Sequence, residues 1–288
     1  MKNKLVDLHV HSNASDGTLS PAEVVDEAIA AGLSAFALTD HDNTQGVAEA
    51  IAAGKKRTQE GKPIEVIPGI ELSLGFEEKD IHVVGLFVDI THPTFQKETA
   101  FAVREREMRN EKMVQNLRHA GIRITMEDLQ DGNAATVITR AHFAKAIIAK
   151  GYTETVKETF DKFLNPDTPY YVPRTYITPE RGIELILMAG GVPILAHPFL
   201  YKLPDDKLRA LLVRLKKAGL VGMEVYYSEF DEKQTAYALE LAKEYDLVPS
   251  GGSDFHGSNK PHIKLGHGID DNLAIPYSVL EELRNHVK

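Results

Sequence analysis

The sequence predicts an α/β fold, a barrel of about seven strand–helix units that carries a helical insertion. Seven short apolar runs have the length of buried strands, and most of them alternate with amphipathic helical patterns. Three helix-to-strand joints share one form, in which alanine precedes glycine: Ala31-Gly32, Ala189-Gly190 and Ala218-Gly219. Such alternation is typical of a parallel sheet covered by helices, and seven units in 288 residues favour a barrel over an open sheet.

The strands and helices of the barrel follow one another along the chain. The predicted strands are residues 5–10, 35–39, 64–70, 81–88, 192–196, 221–226 and 247–250. Ser20-Pro21-Ala22-Glu23 has the form of a capping box with proline at the first helical position, and Gly32 ends that helix. The later helices are predicted at 44–60, 179–189, 205–218, 230–245 and 277–287. An open doubly wound sheet is the rival fold, but no glycine-rich nucleotide fingerprint follows the first strand.

Residues 94–170 break this rhythm. They contain a long polar helix at 95–120 and shorter helical pieces at 125–130, 140–150 and 153–163, with no pattern of a barrel strand. We therefore predict a barrel domain formed by 1–93 and 171–288, and a helical insertion subdomain formed by 94–170. Insertions at the active face of a barrel often form part of the site.

The composition argues against several classes of function. A net charge of −9 and a pI of about 5.8 disfavour a long nucleic-acid duplex as a partner, because such binders use a basic surface. A small anionic substrate stays compatible, since bound metals can reverse the local charge. Without cysteine the chain has no disulfide and no thiolate metal site. It has no apolar run that could span a membrane and no signal-peptide layout, so we expect a cytoplasmic protein.

Ionisable residues cluster where the predicted strands end. His9 and His11 close the first strand, and alternate residues of a strand face the same side, so both imidazoles can point at one spot. Asp254 and His256 repeat this spacing after the seventh strand. Because strand ends of a barrel converge on one face, we predict a single site. Its residues are His9, His11, Asp16, His41, Glu71, His82, His197, Asp254 and His256, of which only His82 lies near the start of its strand.

Six histidines and three carboxylates are too many for one ion. Each metal takes roughly three or four protein ligands, so this set suits two or three divalent ions. Mixed nitrogen and oxygen donors suit manganese, iron or zinc better than calcium. A single His-x-His pair is a weak signal and is more often two hydrogen-bonded loop histidines, but the recurrence of such residues across several strand ends favours a metal site.

Short segments around these residues resemble the motifs of one known family and occur in the same order along the chain. They are Asp7-Leu8-His9-Val10-His11-Ser12, Ser15-Asp16-Gly17, Leu38-Thr39-Asp40-His41-Asp42, Pro68-Gly69-Ile70-Glu71, Ile81-His82-Val83, Ala196-His197-Pro198 and Gly252-Ser253-Asp254-Phe255-His256-Gly257. Together they resemble the PHP (polymerase and histidinol phosphatase) family of metal-dependent phosphoesterases. The resemblance covers the chain outside the insertion and is greater to the stand-alone branch than to the domain fused to bacterial DNA polymerases.

The resemblance implies a distorted seven-unit (β/α) barrel with a trinuclear metal centre. The implied ligand sets are His9, His11, Glu71 and Asp254 for one metal, Glu71, His82 and His197 for a second, and Asp16, His41 and His256 for a third. Some members have histidine in place of Asp16, which leaves the metal preference of that position open. Stand-alone relatives hydrolyse nucleoside 3′,5′-bisphosphates to 5′-monophosphates or trim short RNA from its 5′ end. The implied substrate is thus a small phosphorylated molecule, hydrolysed by metal-activated hydroxide.

Further residues are candidates for contacts around this centre. The planar guanidinium of one arginine can bind two phosphate oxygens at once. Arg140 and Arg174 are our candidates for that role. His142 lies in Thr139-Arg140-Ala141-His142-Phe143-Ala144, which resembles an element of the same branch. It could reach the substrate, as could His267, although a structural role is favoured for both.

Two aspartates near His41 and four basic residues of the long helix are assigned supporting roles. Asp40 and Asp42 are expected to orient ligand histidines from behind. The basic residues Arg104, Arg106, Arg109 and Lys112 are interpreted as the solvated face of the long helix, in preference to a nucleic-acid track.

Three alternative functions stay open at the level of sequence. A histidinol-phosphate phosphatase would have the same centre and differ only in substrate. A C–N hydrolase of the amidohydrolase type also uses His-x-His on its first strand, but often adds a strand-end lysine, and none stands out here. A non-catalytic metal-binding or partner-binding module would be expected to lack ligands, whereas every expected position is filled. The oligomeric state is not indicated.

Overall fold

The computed structural model describes residues 4–77, 79–130, 132, 136–173 and 175–287. Seven strands form one sheet in the order of the chain, and this sheet curls into a nearly closed barrel. The gap between first and last strand is bridged beyond the seventh strand, where His11 N donates to Phe255 O at 3.0 Å. The strands are β1 (Val6–Val10), β2 (Ala35–Leu38), β3 (Glu65–Phe76), β4 (Lys79–Leu86), β5 (Val192–Leu195), β6 (Gly222–Tyr227) and β7 (Val248–Gly252). The predicted barrel class is confirmed.

The expectation of a wholly parallel sheet is wrong at β4. This strand pairs antiparallel with both β3 and β5, whereas the other neighbours are parallel. Strand β3 ends at Phe76 and β4 begins at Lys79, and so short a connection can only join antiparallel strands. In addition β3 continues past Ile70 to Phe76. Glu71 therefore lies within a strand, not at its end, and the reversed β4 begins at the barrel end where its neighbours finish.

Helices cover the outside of the barrel and form the insertion. They are α1 (Pro21–Ala30), α2 (Val47–Gln59), α3 (Pro93–His119), α4 (Met126–Gln130), α5 (Arg140–Ala149), α6 (Val156–Thr159), α7 (Pro179–Met188), α8 (Asp205–Ala218), α9 (Glu232–Glu244) and α10 (Tyr277–Arg284). The capping box at α1 is formed as predicted, with Ser20 Oγ accepting from Glu23 N at 3.3 Å. Among the described residues, no helix combines the length and apolar character that a bilayer crossing requires.

The strands are buried on both faces, as is usual when helices cover a parallel sheet. Every residue of β1, β2 and β5 is buried. Outer apolar side chains pack against the helices, with Ile183 and Ile186 of α7 and Leu211 and Leu215 of α8 in the largest cluster. This packing fixes the strands, and it thereby fixes the side chains at their ends.

The insertion between β4 and β5 is helical, and it has an apolar cluster of its own that includes Met113, Leu117, Phe143 and Ile147. The domain boundaries at 93/94 and 170/171 stay a prediction. The interpretation of the basic residues of α3 as a solvated face is wrong for Arg106 and Arg109, which are both buried.

Candidate metal centre

The structure brings the nine predicted ligands together at one end of the barrel. His9 and His11 end β1, His41 follows β2, and His197 follows β5. The others are Asp16 in the loop after β1, Glu71 within β3, His82 within β4, and Asp254 and His256 after β7. All are buried except His82, which is half-buried. The reversed direction of β4 explains why His82 lies near the start of its strand and still reaches the same place.

Glu71 is the centre of the cluster, because five imidazole rings surround its carboxylate. The ring nitrogens lie 3.4 Å (His9 Nε2), 3.3 Å (His11 Nε2), 3.0 Å (His41 Nδ1), 2.8 Å (His82 Nδ1) and 3.0 Å (His197 Nε2) from the nearer carboxylate oxygen. One carboxylate cannot accept five hydrogen bonds in good geometry, since its two oxygens offer about four lone-pair sites. Shared cations between the carboxylate and the rings would satisfy all of them.

Asp254 and Asp16 extend the cluster towards His256. Asp254 Oδ1 lies 3.2 Å from His11 Nε2 and 3.4 Å from His256 Nδ1. Asp16 Oδ1 lies 3.1 Å from His256 Nε2, and its Oδ2 lies 3.6 Å from His41 Nε2. The three carboxylates thus alternate with histidines through the whole cluster.

The donor set fits divalent metal ions. The Nε2 atoms of His9 and His11 approach each other to 3.1 Å, as two ligands of one ion do. Among the described side chains, His41 Nδ1 and His197 Nδ1 are buried without a hydrogen-bond partner. The His41 atom is close to Glu71, but its angle does not suit a hydrogen bond. Three overlapping groups have ligand atoms within 4.8 Å of one another: His11, Asp16, His41 and His256; His9, His11 and Glu71; and His41, Glu71 and His82.

The electrostatics of the site favour cation binding. Burial would raise the pKa of the Glu71 carboxyl, but the imidazoles, His41 foremost, hold that pKa well below its usual range. Burial also lowers the pKa of His11, but hydrogen bonds to Asp254 and Glu71 outweigh it and raise the pKa to about 9. Without a bound cation, these shifts favour ionised carboxylates and a protonated His11. A divalent ion would take the place of that proton.

Glu224, on β6, is a site residue that the sequence analysis missed. It is buried, its Oε1 lies 2.8 Å from His9 Nδ1, and its Oε2 accepts from His197 N at 2.7 Å. A carboxylate at Nδ1 keeps the proton on that nitrogen and turns Nε2 towards a metal. The available signal was an acidic residue inside an apolar strand, which is rare unless the charge is paired.

Backbone strain accompanies this arrangement. His197 has φ of 26° and Asp254 has φ of 56°, in the region that side-chain-bearing residues rarely adopt. Such conformations persist only where surrounding contacts impose them, and they concentrate at functional sites. The bond from His197 N to Glu224 supplies one such contact.

The second oxygen of Asp254 is held by two further residues that the sequence analysis missed. Tyr227 donates its hydroxyl to Asp254 Oδ2 at 2.7 Å, and Lys260 Nζ lies 2.6 Å from the same oxygen. Burial would raise the pKa of Asp254, but Lys260 and then His256 hold that pKa well below its usual range. These contacts leave Oδ1 facing the histidines.

Asp40 and Asp42 contact residues other than those we expected. Asp40 accepts from Ser12 N at 2.8 Å and from Ser15 Oγ at 2.6 Å, and Ser15 Oγ is in turn 3.4 Å from His11 Nδ1. Its influence on a ligand histidine thus passes through a serine. Asp42 accepts from Ser73 N at 2.8 Å and forms a buried ion pair with Arg106 of α3. This pair explains why Arg106 is buried.

A cleft of about 680 Å³ opens above the centre. Its floor contains ligands of the cluster, one wall comes from the insertion, and another from the loop after β7. Wall residues are Ala141, Lys145, Ile148, Ala149, Val156, Phe160, Leu200, Ser258, Asn259 and Lys260. A second cavity of about 590 Å³ shares Leu200 with this cleft and contains Arg140.

The residues predicted to contact the substrate lie in different parts of the structure, and not all of them are near the metal centre. Arg140 pairs with Asp80 at 3.3 Å and lies beside the rings of Phe160 and Tyr171, at 5.9 and 5.8 Å from their centres. His142 caps α5, accepting from the backbone N of residue 139 at 3.0 Å. His267 donates to the carbonyl of residue 31 at the far end of α1, which leads into the start of β2. It therefore lies towards the other end of the barrel. Arg174 is outside the described residues.

Comparison with known proteins identifies the family. The model of the PHP domain matches residues 7–219. This chain belongs to the PHP domain family. Among curated PHP relatives, a 5′-3′ exoribonuclease of Haemophilus influenzae is 37% identical over 93% of this chain and 95% of its own length. A 3′,5′-nucleoside bisphosphate phosphatase of Chromobacterium violaceum is 33% identical over 92% of both chains. Both are phosphoric ester hydrolases, which confirms the predicted enzyme class for this PHP protein.

Solved structures show the same PHP architecture. A protein of Chromobacterium violaceum, described as an amidohydrolase with bound sulfate and no metal, superposes with a TM-score of 0.86 at 31% identity, covering 98% of this chain and 97% of that one. A putative metal-dependent phosphoesterase of Bifidobacterium adolescentis superposes with a TM-score of 0.83 at 29% identity, over 99% and 97%. The C–N hydrolase and non-catalytic alternatives are not favoured by the curated relatives.

Proposed function

We propose that this PHP protein hydrolyses phosphate esters of small nucleotides, either removing the 3′-phosphate of nucleoside 3′,5′-bisphosphates or trimming short RNA from its 5′ end. The observation that carries the proposal is the single carboxylate, Glu71, within 3.4 Å of five histidine rings on the floor of an open cleft. Two relatives that match this chain over nearly its full length carry the names of these two activities, one each.

We assign the centre two or three divalent ions, with manganese first and iron or zinc as alternatives. The proposed ligand sets are His9, His11, Glu71 and Asp254; Glu71, His82 and His197; and Asp16, His41 and His256. Their atoms occur in the overlapping groups described above. Bound divalent ions supply the charge that lowers the pKa of water and offsets the charge developing on phosphoryl oxygens.

The protein's own residues would hold this chemistry in place. Glu224 keeps a proton on His9 Nδ1, so that Nε2 faces the centre. Lys260, together with Tyr227, fixes Asp254 Oδ2 and leaves Oδ1 for coordination. Lys260 also lines the cleft, where its charge attracts phosphate.

Arg140 remains our candidate for a phosphate contact on the far side of Leu200. Its guanidinium lies near the rings of Phe160 and Tyr171, which restrict its motion, and a restrained guanidinium loses less entropy on binding. Its pairing with Asp80 would have to be shared with the ligand. Arg174 is proposed for the same role from the sequence alone.

The cleft suits a nucleotide in size and chemistry. Its volume of about 680 Å³ lies within the range of roughly 300–1,000 Å³ that is usual for small-molecule sites. Phe160, Ile148 and Leu200 offer apolar surface to a base or sugar, while the ligands of the cluster supply a polar floor. A cytoplasmic location and the exclusion of long duplexes stay predictions from composition.

The test is phosphate release by manganese-loaded protein from adenosine 3′,5′-bisphosphate, histidinol phosphate and a short 5′-phosphorylated RNA, with RNA products separated by chromatography. We expect turnover of the bisphosphate or stepwise 5′ trimming, lost with a chelator and restored by Mn²⁺. Glu71→Gln should be inactive, whereas Glu240→Gln, at an exposed position of α9, should be fully active. Preference for histidinol phosphate, or no turnover of any nucleotide, would contradict the proposal.

A further inference from the structure

The insertion makes a continuous contact with the loop that carries Asp16. Thr139 donates its hydroxyl to Asp16 Oδ2 at 2.9 Å, and Val137 N donates to Ala14 O at 3.0 Å. Thr136 donates its hydroxyl to the carbonyl of residue 15. Three consecutive loop residues are thus each bonded to the four-residue segment 136–139.

Asp16 is the proposed ligand that lies farthest along the chain from a strand. It is in a turn well beyond Val10, where β1 ends, so no ladder of backbone hydrogen bonds fixes it. Its Oδ1 faces His256 Nε2 at 3.1 Å, while its Oδ2 accepts the Thr139 hydroxyl. The hydroxyl therefore fixes the rotation of the carboxylate and leaves Oδ1 directed at the histidine.

The segment 136–139 is itself fixed by two helices of the insertion. Asn110, which is buried on α3, donates to Ile138 O at 3.0 Å. Thr139 is the N-cap of α5, and its hydroxyl also accepts from Ala141 N at 3.2 Å. One turn before Asn110, Arg106 forms the buried pair with Asp42, next to His41. Contacts of the insertion therefore reach Asp16 and the residue that follows His41, and the ligands Asp16 and His41 are assigned to a single metal.

We propose that Thr139 is a positioning residue for Asp16, so that the metal position of Asp16, His41 and His256 is complete only when the insertion is docked on the loop. This inference rests on the proposed metal centre. The other two positions are formed by residues of the barrel strands and their ends, and they do not depend on this contact. Removing the hydroxyl should weaken metal binding at the one position by about 10- to 100-fold, the usual effect of losing a residue that holds a ligand.

The test counts Mn²⁺ per chain by mass spectrometry in full-length protein, equilibrated at a series of buffered free Mn²⁺ concentrations. Thr139→Val keeps the size of the side chain and removes the hydroxyl, whereas Thr139→Ser keeps the hydroxyl. At concentrations that just saturate the unmodified protein, Thr139→Val should hold one ion fewer and Thr139→Ser the full number. Circular dichroism verifies that each variant is folded.

Several outcomes would overturn the inference. Thr139→Val could keep the full number of ions at every concentration, or lose all ions together, which would show no specific link to one position. Asp16→Ala is the reference: if it also keeps the full number, the ligand assignment of the proposed centre fails. If Asp16→Ala loses one ion and Thr139→Val none, only the positioning role fails. Should Thr139→Val not fold, Asn110→Ala must show the same single loss, and retention of all ions would refute the role.

Discussion

Replacing Glu224 by glutamine tests how the centre is held. The substitution Glu224→Gln keeps the shape of the side chain, but an amide has one accepting oxygen and one donating nitrogen. The carboxylate currently contacts His9 Nδ1 at 2.8 Å through one oxygen and accepts from His197 N at 2.7 Å through the other. With a metal on His9 Nε2, both partners must donate. The amide can accept from only one of them, so one hydrogen bond is lost.

The magnitude follows from the burial of this group. Glu224 is 2% exposed, so water cannot replace the lost bond. A hydrogen bond to a charged group contributes about 1.5–3 kcal/mol, and each 1.4 kcal/mol corresponds to a factor of about ten in an equilibrium constant. We therefore expect Mn²⁺ binding to weaken by about 10- to 100-fold, in line with other residues that orient metal ligands.

The assay is competition for Mn²⁺ between the protein and a chelating dye. Glu240→Gln has the same chemical change at an exposed position of α9 and should bind Mn²⁺ as the unmodified protein does. Excess Mn²⁺ should restore most of the hydrolytic rate of Glu224→Gln, because the barrel and the ligands are intact. Unchanged Mn²⁺ affinity in Glu224→Gln would refute the reasoning.

Three further predictions concern the same region. Asp254→Ala should abolish hydrolysis and leave the circular dichroism spectrum nearly unchanged; full activity would contradict its place among the ligands. Arg106→Met leaves the buried Asp42 without its cation, so the free energy of unfolding in urea should fall by about 3–5 kcal/mol, the usual cost of breaking one half of a buried pair. A loss under about 1 kcal/mol would contradict a role for that pair in docking the insertion. Finally, the raised pKa of His11, about 9, means that protons compete with metal below that pH. Mn²⁺ affinity measured by calorimetry should therefore rise with pH towards 9, with release of protons on binding, and a flat profile would contradict this.

The barrel was predictable because its signals are local. Apolar runs such as 35–39 and 192–196 are too short for helices, and helix signals such as the capping box at Ser20 separate several of them. The nine ligand candidates were predictable for a related reason. In a barrel the ends of parallel strands converge on one face. Residues such as His9, His41 and His197 can therefore be assigned to that face from the order of the strands alone.

What the sequence did not reveal depends on contacts between distant parts of the chain. The direction of β4 follows from its short connection to β3, whereas the alternating pattern of strands and helices had indicated a parallel sheet. Glu224 and Arg106 are a buried acid and a buried base, and single charged residues look like solvent-facing positions until a partner is known. Their partners, His9 and Asp42, lie 215 and 64 residues away in the sequence. No periodic pattern encodes such a pairing.

The reversed β4 has a consequence for how much the centre can vary. Ser73 pairs with His82, and Glu71 with Val84, in one continuous antiparallel ladder. A slip of this ladder by a single residue would turn each side chain of β4 to the opposite face. Backbone hydrogen bonds thus fix the spacing between Glu71 and His82, which can change only by whole residues. By contrast, the position of Asp16 can be adjusted by small changes in the shape of its loop. Natural or designed changes of metal preference would therefore be expected first at the loop-borne ligand, with the β3–β4 pair as the invariant reference.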